Sequence, residues 1–220
     1  MDLPPGPDLS LWKQALGAVP DAVWARTDLR TLILADNELT EISPRLGGLK
    51  ALRTLDLGHN RLTALPESLG ALEGLSDFLY LHDNRLAALP ASLGRLTRLR
   101  YLNLSENAFE VFPEAVAGMT ALIEFRITDN RLTSLPASIA VLKSLRELHL
   151  RNNRLETLPD AIGALAELRQ LDLRGNPIVR LPPRLASLPR LEKLDLRWVT
   201  TLEASAWLVE LEARGCAIYR

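Results

Sequence analysis

Residue types that could carry chemistry are few and scattered. The chain has three histidines, His59, His82 and His149, and one cysteine, Cys216. A metal site written into local sequence needs a second imidazole or thiolate a few residues away, and no histidine here has one. His59 and His82 are 23 residues apart, which suits only a weak pair between neighbouring turns of a repeating chain. There is no Gly-x-x-x-x-Gly-Lys loop for phosphate and no Gly-x-Ser-x-Gly elbow for a nucleophile. With no histidine near it in sequence, Cys216 reads as a buried or idle thiol. Asn103-Leu104-Ser105 fits the glycosylation pattern, but it is expected on a strand and is read as coincidental. These residues predict a protein that is not an enzyme and holds no metal or cofactor.

What positions them is a repeat. Asparagines recur at Asn37, Asn60, Asn84, Asn107, Asn130, Asn153 and Asn176, 23 residues apart except for one step of 24. Around each the same apolar frame returns, as in Leu52-x-x-Leu55-x-Leu57-x-x-Asn60-x-Leu62-x-x-Leu65-Pro66-x-x-Leu69-Gly70-x-Leu72. Leu-x-Leu alternation sends the leucines to one face of a short strand and the residue between them to the other. One repeat cannot bury its leucines alone, so the coils must stack and their strands must form a parallel sheet. The asparagine is expected where the chain turns inward, its amide pairing with backbone groups that would otherwise be buried unsatisfied. The prolines at Pro66, Pro90, Pro113, Pro136, Pro159 and Pro182 hold the preceding residue extended, predicting a short convex segment in place of a long helix.

This frame resembles the leucine-rich-repeat family over nearly the whole chain. Its Leu-Pro-x-x-(Leu/Ile)-Gly-x-Leu half is similar to the subclass of plant intracellular Ras-group-related proteins, Roco proteins and many bacterial repeat proteins. The resemblance implies an α/β repeat solenoid: a right-handed superhelical arc with a parallel concave sheet, short helical or irregular convex segments and a C-terminal capping helix. It also implies a scaffold for protein binding, with a small GTPase as one permissible partner. The alternative it suggests is a substrate-recognition subunit or effector acting with a separate enzyme such as a ubiquitin ligase, kinase or small GTPase.

Residues 1–28 read as an N-terminal cap or degenerate repeat, 29–199 as seven regular repeats plus one terminal strand, and 200–220 as a C-terminal cap helix. Gln14 stands where the first asparagine would fall, and the segment from Asp8 to Trp12 suits either a strand or a short capped helix. Val199 ends the asparagine series. Leu191-x-x-Leu194-x-Leu196 is therefore expected as the last strand, with Leu202, Ala206, Trp207, Leu208 and Leu211 on a closing helix before Gly215.

Composition bounds the function. The 220 residues are 47% hydrophobic and 24% charged with a net charge of -1. Phosphate binding relies on excess clustered Lys and Arg, so nucleic acid is not expected. No apolar run reaches the length of a membrane span. The N-terminus lacks the basic and apolar regions of a secretory signal, and a single cysteine rules out disulfide-stapled caps. A monomer in the cytoplasm, or delivered into a host cytoplasm, is expected, and the Ala-, Arg- and Leu-rich composition suggests a bacterial source.

Register names the residues of the concave face. The row between the strand leucines runs Ile33, Asp56, Tyr80, Asn103, Arg126, His149, Asp172 and Asp195. Two residues on lie His82, Ser105, Thr128, Arg151, Arg174 and Arg197; two residues earlier lie Phe78, Tyr101, Glu124 and Glu147. Candidate partner-binding residues are Phe78, Tyr80, His82, Tyr101, Asn103, Arg126, His149, Arg151, Arg174 and Arg197. The aromatic group either anchors a protein or peptide or merely covers the sheet. The arginines are either neutralised by neighbouring carboxylates or receive a partner's acidic groups. One extra residue in Ser76-Asp77-Phe78 predicts either a bulge that redirects the aromatic strand or a harmless loop insertion. Arg61, Arg85, Arg131 and Arg154 are expected to face Asp83 and Asp129 on the outer rim as surface ion pairs.

Overall fold

The computed structural model describes residues 3–203 and 206–220. Among the described residues, ten three-residue strands pair in sequence order into one parallel sheet. They are β1 (Asp8–Ser10), β2 (Thr31–Ile33), β3 (Thr54–Asp56), β4 (Phe78–Tyr80), β5 (Tyr101–Asn103), β6 (Glu124–Arg126), β7 (Glu147–His149), β8 (Gln170–Asp172), β9 (Lys193–Asp195) and β10 (Ala217–Tyr219). Each strand's central residue, from Leu32 through Phe125 to Leu194, points inward and is fully buried except at the two ends of the sheet. Opposite the sheet, each coil carries a five-residue 3-10 segment, such as Glu67–Ala71 and Ala137–Val141. A proline with extended ψ precedes seven of these segments. In the remaining coil Ser43 takes that place, its hydroxyl accepting from the Arg45 N–H, with Pro44 as the first residue of the segment. The fixed proline φ holds the chain extended just before each segment and so sets where it starts.

The asparagines form the expected ladder. Asn60 donates through Nδ2 to the carbonyls of Leu34, Leu57 and Gly58, while its Oδ1 accepts from the N–H groups of Asn37 and Leu39. One side chain thus closes its own turn and ties it to the preceding coil. The residue just before each asparagine is left-handed, with φ of 59° at Asp36, 50° at His59, 49° at Asp83 and 54° at Asp129. Asp, Asn and Gly tolerate that geometry best, which explains their prevalence at this position.

The coils approach closely on the convex side. A Cβ at Gly70 would lie 2.2 Å from the Ser92 carbonyl oxygen and 2.4 Å from its carbon, and backbone yields less readily than a side chain. Gly70→Ala is expected to lose about 1–3 kcal/mol in urea unfolding. A loss under roughly 0.5 kcal/mol, the size of an ordinary surface change, would show that the coils slide apart freely.

Both ends refine the sequence expectations. At the N-terminus the strand reading holds: β1 pairs with β2, with Leu9 opposite Leu32. The Gln14 N–H donates to Asn37 Oδ1 at 2.9 Å, so Gln14 takes the asparagine's backbone place, while its side chain turns out to the Trp12 carbonyl. At the C-terminus the expected end of the sheet at Leu196 is corrected. Helix α1 (Ala206–Ala213) buries Leu208 and Leu211 and leaves Ala206 exposed; residues 204 and 205 of the predicted cap helix lie outside the described residues. Gly215 then adopts φ 93°. Its N–H bonds the Glu212 carbonyl and the Cys216 N–H bonds that of Leu211, the paired bonds of a Schellman stop. That turn returns the chain as β10, parallel to β9. Among the described residues no helix is long and apolar enough to cross a membrane.

Candidate binding face on the concave sheet

Strand pairing places the predicted row in register, with Asp56 opposite Tyr80, Tyr80 opposite Asn103, Arg126 opposite His149, and Asp172 opposite Asp195. Sequence reasoning missed its continuation to Tyr219, opposite Asp195. Lys193 Nζ and the Arg197 guanidinium lie 5.3 Å and 5.6 Å from that ring, within cation–π range. The missed signal was the apolar Ile218 after a helix-stopping glycine.

The aromatic residues meet. Phe78 and Tyr80 stack with centroids 5.8 Å apart, and Tyr101 tilts against both at 5.4 Å and 5.0 Å. Tyr80 also meets the edge of His82 at 6.0 Å. Burial pushes the Tyr101 phenol up to about 12 and raises that of Tyr80, so both remain neutral donors at physiological pH. Phe78 is 42% exposed and lines a depression of about 260 Å³ with Asp77, Arg100, Tyr101, Ile123 and Glu124. The extra residue lies ahead of β4: Leu75 and Leu79 both stay buried and the strand register is intact. It changes only the approach, where the Arg100 and Tyr101 N–H groups reach Ser76 and Asp77 separately while other coils converge on one carbonyl, as Arg53 and Thr54 do on Arg30. His82 sits against Gly58, where a Cβ would come 2.4 Å from its Cε1. Burial, together with nearby His59, lowers the basicity of the His82 ring.

Asn103 has local work. Its Oδ1 accepts from the Ser105 N–H at 3.0 Å, as those of Asp56, Asp172 and Asp195 accept from the N–H two residues on. These are Asx turns that end the strands. The arginines are paired: Arg174 with Asp172, Arg197 with Asp195, Arg126 with Glu124, and Arg151 with Asp129 of the preceding coil. Of the two readings of the arginine row, the geometry displays the neutralised one. A depression of about 240 Å³ opens there among Arg126, His149, Arg151, Asp172 and Arg174. On the outer rim the pairing departs from expectation. Arg61 meets Glu38 and Arg131 meets Glu110, because the Arg61 and Arg131 N–H groups bond carbonyls of the preceding coil and carry their side chains back toward it. Asp83 instead holds His59 Nδ1 at 2.6 Å. Cys216 is buried, and that burial pushes its thiol up.

Parallel strands stacked one per coil, with an asparagine ladder on one side and 3-10 segments opposite, define a single-sheet repeat solenoid. Leucine-rich-repeat models match residues 121–178, 27–71 and 98–119, and the chain belongs to the leucine-rich-repeat family. Among solved structures it is similar to a leucine-rich-repeat protein of Leptospira interrogans, with 26% identity and a TM-score of 0.54 over 92% of this chain and 63% of that one. It is also similar to the ectodomain of the Arabidopsis thaliana membrane receptor kinase GASSHO1/SCHENGEN3, solved in complex with CASPARIAN STRIP INTEGRITY FACTOR 2. That match has 32% identity and a TM-score of 0.69 over 81% of this chain and 22% of that one. The plant peptide hormone receptor RGFR1, in complex with RGF2, matches with 28% identity and a TM-score of 0.76 over 96% and 34%. The chain thus spans 22% to 63% of the length of these structures. No curated protein sequence matches it.

Proposed function

We propose that this chain is a non-catalytic interaction module that holds a protein or an extended peptide across its concave sheet. The observation that carries this reading is the Phe78–Tyr80–Tyr101 cluster. Leu79 and Leu102 complete the interior of these coils, so the rings on the opposite face contribute little to the core and present preorganised apolar area to a guest. Similar solenoids are solved in complex with a bound partner, one of them a peptide hormone receptor, which supports a protein or peptide partner here. Arg126, Arg151, Arg174 and Arg197 are already paired with carboxylates of this chain, which weakens their pull on a partner's acidic groups, so the charged end is assigned an orienting role. The reading includes a monomer acting in a bacterial or host cytoplasm, supported by the single buried cysteine.

Affinity capture followed by calorimetry on the captured protein tests the reading. Tyr80→Ala with Tyr101→Ala is expected to weaken binding by roughly 30-fold or more, the effect of losing at least one hot-spot ring, with little change in melting temperature. Equal affinity for both baits would move the site off the aromatic cluster.

A further inference from the structure

Stacking also gathers residues around His149 that local spacing never pairs. Glu124 on β6 and Glu147 on β7 are register partners, and His149 follows Glu147 by two residues and so shares its face. His149 Nε2 lies 3.3 Å from a Glu147 oxygen and 3.8 Å from a Glu124 oxygen. One ligand atom from each of the three falls within 4.8 Å of the others. Two ligand atoms held at about 2.1 Å by one tetrahedral ion are about 3.4 Å apart, so small side-chain adjustments would bring all three onto one centre. The other ring nitrogen, Nδ1, faces an Asp172 oxygen at 4.0 Å, beyond hydrogen-bond length but on the side from which a carboxylate orients a ligating imidazole. The His149 side chain is 15% exposed and those of Glu124 and Glu147 are 22% and 34% exposed, so the cluster is partly buried with one side on the groove. Glu124 and Glu147 bring two carboxylates to the cluster, with Arg126 paired to Glu124 and Arg174 to Asp172 beside it.

We propose that Glu124, Glu147 and His149 form a site for a divalent transition-metal ion such as Zn²⁺, with Asp172 positioning the imidazole and the remaining coordination open to the concave groove. The competing account is an ion-pair lattice in which Arg126 neutralises Glu124 and no ion is needed. The two differ in the part played by Arg126, which competes with a metal in the first and completes the structure in the second.

The test is calorimetric titration of the chelator-treated full chain with Zn²⁺ alone, supported by thermal unfolding and by the visible spectrum with Co²⁺. Expected are one saturable site, a raised melting temperature with Zn²⁺ and a four-coordinate Co²⁺ band. His149→Ala and Glu147→Gln should each weaken binding by at least about 10-fold. His59→Ala should bind as wild type does, and Arg126→Gln should bind more tightly. No saturable binding by wild type, undiminished binding by both His149→Ala and Glu147→Gln, or weaker binding by Arg126→Gln overturns the proposal. If His149→Ala does not fold, Glu147→Gln decides.

Discussion

Asn60→Ala is expected to lose about 2–5 kcal/mol of unfolding free energy, because five hydrogen bonds disappear at once and leave buried backbone groups behind. The groups orphaned are the carbonyls of Leu34, Leu57 and Gly58 and the N–H groups of Asn37 and Leu39. Asn60 is 9% exposed, so water replaces few of these partners. Asn60→Asp should be at least as harmful: it keeps the acceptor but turns a carboxylate toward three carbonyl oxygens. Urea unfolding of the two variants measures both effects. Because each coil leans only on its neighbours, the damage should also appear as a broadened transition. A loss below roughly 1 kcal/mol, the value of a single ordinary hydrogen bond, would mean that the ladder is not what holds the turns.

Asp172→Asn with Asp195→Asn is expected to lower stability at neutral pH by about 1–3 kcal/mol and to flatten the acid limb of the stability curve. Asp195 is 1% exposed and accepts from Arg197 Nε and Nη2 at 2.9 Å and 2.8 Å. Asp172 accepts from Arg174 Nε and Nη2 at 2.9 Å and 2.6 Å. Burial acts to raise both carboxyls, but the arginine hydrogen bonds outweigh it, and both lie below the ordinary carboxylate range. A carboxyl depressed in the folded state stabilises the protein fully above its unfolded pKa of about 3.9 and loses that contribution as pH falls toward the folded value. Wild type should therefore lose stability from about pH 5 downward, and the double variant should approach it at the acid end. Parallel curves would show that these pairs do not couple to folding.

Much of the architecture is legible in side-chain spacing. Because strand residues alternate faces and coils stack in phase, Leu55 and Leu57 had to be interior and Tyr80 had to share a row with Arg126. The helix stop at Gly215 was legible as well; the return of Ala217–Tyr219 to the sheet was not, since three residues carry too little pattern to announce a strand. Asn103 shows a subtler failure: its place on the concave row was correct, yet its side chain is used by the Ser105 N–H, a local competition that facing alone does not reveal.

The primary sequence determined the repeat, the direction of each side chain and the inner surface, because a 23-residue phase with one asparagine per coil leaves a single way to bury the leucines. Only the tertiary structure decided how charges and rings on that surface are shared. Contacts such as His149 with Glu124, Arg151 with Asp129 and Tyr80 with Tyr101 join different coils. Their strength depends on rotamers and on strand spacing of about 4.8 Å, neither of which is written in any one repeat.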